Sequence, residues 1–112
     1  MNAHHGLTAE TVTAIQKVLA HFPAIERAVL YGSRAKGNYR PGSDIDLALF
    51  GRDLDRRNVG RLGDALDDLL LPYRLDLTIF DDLTHADLID HIQRVGVVLY
   101  QSQPPEAVRA SA

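Results

Sequence analysis

The sequence predicts an α/β (α+β) domain with a small sheet of three to four strands flanked by helices. Apolar residues recur at helical spacing in three separate stretches, and short apolar runs bounded by turn residues alternate with them. At 112 residues the chain has the usual size of one domain and one core. Apolar residues make up 46% and charged residues 24%, a globular balance that argues against wholesale disorder.

Val12, Ile15, Val18, Leu19 and Phe22 fall at helical intervals, so residues 8–21 read as an amphipathic helix that Pro23 stops. Ala28-Val29-Leu30-Tyr31 is a short apolar run ended by Gly32 and reads as a buried strand. A Gly- and Pro-containing connection runs from Gly32 to Gly42, with one helical turn expected after Ser33. Ile45, Leu47, Leu49 and Phe50 mark a second strand that carries Asp46 inside it. Val59, Leu62, Leu66, Leu69 and Leu70 make a second long helix ended near Pro72, and Tyr73 to Phe80 is a third strand, apolar except at Arg74, Asp76 and Thr78. Thr84-x-x-Asp87 has the spacing of a capping box, with Leu88, Ile92 and Val95 on one helical face behind it and Gly96 as the C-cap. Val97 to Tyr100 is either a segment packed on the core or an added edge strand. The expected organisation is a flexible N-terminus over 1–7, one domain over 8–100 and a flexible tail over 101–112, which contains Pro104-Pro105.

Twelve basic and fifteen acidic side chains leave a net charge of −3. That weighs against direct nucleic-acid binding, which rests on clustered Lys and Arg. The absence of cysteine excludes disulfides, thiolate zinc sites and cysteine nucleophiles. No apolar run approaches the roughly 18–20 residues that span a bilayer. The opening residues lack the basic and apolar regions of a signal peptide, so the expectation is a cytoplasmic protein without a membrane partner.

The chemistry sits where two strands carry carboxylates at positions that should be apolar. Asp44 and Asp46 are two apart, so in an extended chain both leave the same face. Two carboxylates that close repel each other unless a cation lies between them, and a hard divalent ion such as Mg²⁺ favours oxygen ligands. Asp76, within Leu75-Asp76-Leu77, offers a third carboxylate if its strand lies beside the second; Asp81 and Asp82 are the alternatives. The same D-x-D spacing recurs at Asp53-Leu54-Asp55, but without a strand around it and next to Arg56-Arg57. It reads as a solvated loop or helix start and shows how common the bare pair is.

What distinguishes the first pair is Gly32-Ser33 upstream. Glycine permits a tight bend and close backbone approach, serine offers an N–H and a hydroxyl, and a helical turn beginning there presents free N–H groups to phosphate. Arg34 and Lys36 add charge near the same phosphates. Gly32 and Gly37 have the spacing of an ATPase phosphate loop, but Asn38-Tyr39 follow where Lys-Ser/Thr is required, so that motif fails; G-x-G-x-x-G fails as well. The five histidines have no convincing ligand partners and read as solvated, and Tyr31, Tyr73 and Tyr100 read as core or boundary aromatics.

Gly32-Ser33, Asp44-x-Asp46 and the isolated strand aspartate Asp76 together resemble the DNA polymerase β-like nucleotidyltransferase superfamily. Tyr31-Gly32-Ser33-Arg34-Ala35-Lys36-Gly37, Ser43-Asp44-Ile45-Asp46-Leu47 and the ending Val95-Gly96-Val97-Val98-Leu99-Tyr100 are similar to its minimal nucleotidyltransferase (MNT) branch. The resemblance covers residues 8–100 and implies that superfamily's mixed sheet flanked by helices. It implies that Asp44 and Asp46 bind Mg²⁺, that Asp76 shares a metal and helps deprotonate the attacking hydroxyl, and that Gly32 and Ser33 hold the phosphates of ATP. Arg34 and Lys36 fall on positions of that family that are basic or variable. In such a site two metals about 3.5–4 Å apart stabilise the entering and leaving oxygens of an in-line displacement at the α-phosphate, and pyrophosphate leaves.

The chain's length and charge leave no template-binding apparatus, and a small-molecule acceptor would need a further domain. The acceptor is therefore expected on another protein. The MNT resemblance implies the antitoxin of a HEPN/MNT toxin–antitoxin pair, which adenylylates a tyrosine of its HEPN toxin. The chain contains no Arg-x(4–6)-His, so it does not resemble the ribonuclease toxin. The alternative is a non-catalytic antitoxin or regulatory subunit that neutralises its partner by binding alone.

Overall fold

The computed structural model describes residues 5–102; the outer parts of the expected flexible ends, residues 1–4 and 103–112, lie outside the described residues. The elements run α1 (Ala9–Leu19), β1 (Arg27–Tyr31), α2 (Ser33–Lys36), β2 (Ile45–Phe50), α3 (Arg56–Asp67), β3 (Leu75–Ile79), a 3-10 turn (Phe80–Asp82), α4 (Ala86–Val95) and β4 (Val97–Gln101). The four strands form one mixed sheet in the order β3-β2-β1-β4. β1 is antiparallel to β2 and β4, while β2 and β3 are parallel. Parallel neighbours need a long crossover, and α3 supplies it. The segment from Val97 is an edge strand, and it extends to Gln101, which pairs with Arg27.

Side-chain alternation divides β2 between two cores. Ile45, Leu47 and Leu49 are fully buried in the larger cluster with Ile15 and Leu19 of α1 and Leu62 and Leu66 of α3. Ala48 turns the other way, into a smaller cluster with Val29, Tyr31 and Ile92 of α4. Truncating Leu47 or Leu49 to alanine costs about 2–5 kcal/mol, because the surrounding sheet cannot collapse into the void. Asp46 shares the face of the smaller cluster, on the side of the sheet that α4 covers.

Helix starts follow side-chain oxygens and nitrogens more closely than apolar spacing. Thr8 caps α1 by accepting from the Thr11 amide at 3.1 Å. Asp55 caps α3 in a reciprocal pair with Asn58, so the second D-x-D does start a helix. The expected Thr84 cap is not used: the His85 ring accepts from the Leu88 amide at 3.3 Å and opens α4 one residue later. α3 ends at Asp67, before Leu70, which takes a left-handed φ of 55 ahead of Pro72. Packing also starts earlier than residue 8, since Leu7 is 2% exposed within the larger cluster and His5 is buried beside it. Among the described residues no helix is long and apolar enough to cross a membrane.

Candidate active site

Asp46 stands opposite Tyr31 of antiparallel β1 and opposite Asp76 of parallel β3. Directly paired residues leave the same face of a sheet, and neighbouring strands lie about 4.8 Å apart. Asp46, Asp76 and Tyr31 therefore project together on the α4 side, while the flanking Ile45, Leu47, Leu75 and Leu77 enter the opposite core. Asp44 precedes β2 by one residue and acts on Asp46 through its charge. Asp44 and Asp76 are exposed, and Asp46 is half-buried. Asp81 and Asp82, the alternatives to Asp76, lie in the turn beyond the far end of β3.

The electrostatics follow from this crowding. Burial lifts the Asp46 carboxyl above its ordinary value, and the charges of Asp76 and Asp44 push it further. The Tyr31 hydroxyl is also raised, first by burial; a hydrogen bond with Thr78 opposes this, and the charges of Asp46 and Asp76 add to it. Among the described residues no group of three or more His, Asp or Glu side chains is arranged to hold a metal ion. The donor chemistry nevertheless fits a divalent cation. Asp46 and Asp76 share one face, Asp44 is near enough for its charge to act on Asp46, and Asp44 and Asp76 are exposed on short, rotatable side chains.

The glycine-serine turn abuts this carboxylate face. Gly32 has φ 78, a conformation that L side chains rarely adopt, and a Cβ there would overlap an oxygen of Asp46. Glycine is thus required twice, for the backbone angle and for the contact. Its N–H donates to Nε2 of His91 in α4 at 3.0 Å, and its carbonyl accepts from the Lys36 amide at 3.1 Å to begin α2. Ser33 is the first residue of that single turn, which Gly37 ends at φ 86.

Arg34 differs from the expectation. It is 2% exposed; its Nε donates to the Ser43 carbonyl at 3.1 Å and its Nη1 to the His5 carbonyl at 2.8 Å. The guanidinium lies over the rings of Tyr39 and Tyr73. It ties the 32–44 connection to the N-terminal segment and is inaccessible to a phosphate. Lys36 is exposed at the end of α2. The reading of the histidines as solvated fails for His5, which is buried, and for His91, which is half-buried and accepts from Gly32; His85 is exposed and also caps α4. His91 had a signal in the sequence: it lies on the helical face of Leu88, Ile92 and Val95, and that face packs inward.

Residues 13–105 match the family described as Polymerase beta, Nucleotidyltransferase. The probable protein adenylyltransferase MntA of Haemophilus influenzae is 29% identical over 98 residues, spanning 87% of this chain and 85% of that protein. A crystal structure of a toxin-antitoxin with AMP-PNP superposes with a TM-score of 0.67 and 26% identity, over 89% of this chain and 83% of that one. The crystal structure of the MntA-HepT toxin-antitoxin gives a TM-score of 0.64 over 93% and 84% of the two chains, a likeness of fold at 23% identity.

Proposed function

Because the chain belongs to the polymerase β nucleotidyltransferase family, we propose that it transfers AMP from ATP to a tyrosine hydroxyl of a HEPN-domain toxin, and so acts as the antitoxin of that pair. The opposition of Asp46 and Asp76 beside Gly32 carries the reading. The similarity to an adenylyltransferase and to a toxin-antitoxin with AMP-PNP supports the nucleotide and the class of partner.

In this reading Asp44, Asp46 and Asp76 hold Mg²⁺, and Gly32 and Ser33 face the phosphates, with Lys36 as an accessory charge. Bound Mg²⁺ supplies charge neutralisation along the triphosphate and lowers the pKa of the acceptor hydroxyl. Asp76 accepts that hydroxyl's proton and returns it to solvent. A bond forms from the acceptor oxygen to the α-phosphorus as the bond to pyrophosphate breaks. β3 is an outer strand of the sheet, so its exposed Asp76 is open to an acceptor as large as a protein loop. The setting is cytoplasmic, where ATP is supplied, and no nucleic acid or membrane takes part.

The test incubates the protein with Mg²⁺, α-labelled ATP and its HEPN partner. Label moves to a tyrosine of the partner with wild type and is lost with Asp44→Ala or Asp46→Ala. Full neutralisation of the toxin by those variants, with no transfer by wild type, would establish the binding-only alternative.

A further inference from the structure

We infer that His91 is a positioning residue for nucleotide binding: it fixes the Gly32-Ser33 turn from α4 without touching the nucleotide. This rests on the adenylyltransferase reading above, but the geometry behind it stands by itself. The bond from the Gly32 amide to His91 Nε2, at 3.0 Å, joins residues 59 apart in sequence and ties the last helix to the first turn of the site. Acceptance at Nε2 requires a neutral ring with its proton on Nδ1. Ring orientation is set by packing: α4 is anchored through Ile92 and Leu88 in the smaller cluster, and the His91 ring meets Tyr31 edge-on at 6.2 Å and 79°.

Gly32 needs such a partner. It sits at positive φ against an oxygen of Asp46. Released from His91, its N–H has a negatively charged acceptor beside it, and turning toward that carboxylate would occupy lone pairs needed for a cation. The imidazole takes the N–H, leaves the carboxylate oxygens to the ligand and keeps the following Ser33 amide in register with α2. Asp46, Asp76, Tyr31 and His91 all lie on the α4 side of the sheet, and there His91 holds the turn through the Gly32 N–H.

The experiment compares wild type, His91→Gln and His91→Leu. It follows amide exchange at Gly32 by NMR, ATP affinity by titration, and the steady-state constants for AMP transfer. Glutamine places an acceptor the same number of bonds from Cβ and should keep each value within about threefold of wild type. Leucine should speed Gly32 exchange and raise the Kd and KM for ATP about tenfold, with kcat within about threefold, because it removes a hydrogen bond that shapes binding and not a reacting group. Unchanged Gly32 exchange and ATP affinity in His91→Leu would overturn the inference. So would a fall in kcat at constant KM in both variants, which would make the ring a catalytic group. Should His91→Leu unfold, His91→Gln decides: wild-type Gly32 exchange and ATP affinity uphold the inference, and loss of both overturns it. Wild type that binds ATP yet transfers nothing would remove the enzymatic reading, while the exchange and affinity measurements would still decide the role of His91.

Discussion

Asp46 and Asp76 occupy directly opposed positions on adjacent parallel strands, with both carboxylates on the side of the sheet covered by α4. Parallel pairing places the two at the same end of β2 and β3, where Gly32 closes the adjoining end of β1. Like charges held this close make the fold less stable and the cation more welcome, and both effects can be measured.

Removing the charge should therefore stabilise the metal-free protein while abolishing transfer. Asp46 has a folded-state acidity weakened mainly by burial and then by Asp76 and Asp44, so the native state holds its proton more tightly than the unfolded chain. Stability from the neutral carboxyl is full below the unfolded value, near about 3.9, and is lost as pH rises through the raised folded value. In chelator the melting temperature of Asp46→Asn should rise relative to wild type from about pH 3.5 to pH 7. A constant or shrinking difference would mean that the carboxyl is not crowded.

Mg²⁺ should reverse that order. Added at about ten times its Kd, it would stabilise wild type by about 1.4 kcal/mol through mass action, whereas Asp46→Asn should gain little. Calorimetric melts with and without the ion measure this, and equal gains in both proteins would place the cation elsewhere.

Gly32 and Gly37 offer a matched pair. Both have positive φ, 78 and 86, but only a Cβ at Gly32 would strike Asp46, and one at Gly37 meets nothing within 4 Å. Each alanine substitution costs about 1–3 kcal/mol of strain. Gly32→Ala should also lose ATP binding and transfer, while Gly37→Ala keeps both once folded. Equal loss of function in the two would reduce the turn's role to backbone conformation.

Arg34→Lys separates packing from ligand contact. Lysine lacks the planar fork that reaches the Ser43 and His5 carbonyls and covers Tyr39 and Tyr73. A loss of about 2–4 kcal/mol in denaturant unfolding is expected, with the KM for ATP unchanged in folded protein. A raised KM at unchanged stability would return Arg34 to the phosphates.

What the chain reveals on reading is the intrusion of charge into apolar periodicity. Asp46 and Asp76 stand out because their immediate strand neighbours are apolar, and the same apolar runs mark the strands and the cores. The partners of Arg34 and of the inward-facing His91 were hidden for the opposite reason. An arginine next to a glycine-serine turn reads as charge for a phosphate until its tertiary partners, a carbonyl nine residues later and another twenty-nine residues earlier, are known. A histidine on an apolar helical face looks the same whether it caps, packs or accepts from a distant amide. The helix-capping role passed from Thr84 to His85 because spacing cannot tell which side chain reaches the free amide. Strand pairing was equally unreadable: nothing local specifies that β2 lies parallel to β3.

The most direct measurement is the intact mass of the HEPN partner after incubation with ATP, Mg²⁺ and either wild type or Asp46→Asn. Wild type should add whole AMP units on a tyrosine, and the variant, folded and more stable in chelator, should add none. A partner left unmodified by wild type, or modified equally by both proteins, would contradict the assignment of these carboxylates to catalysis.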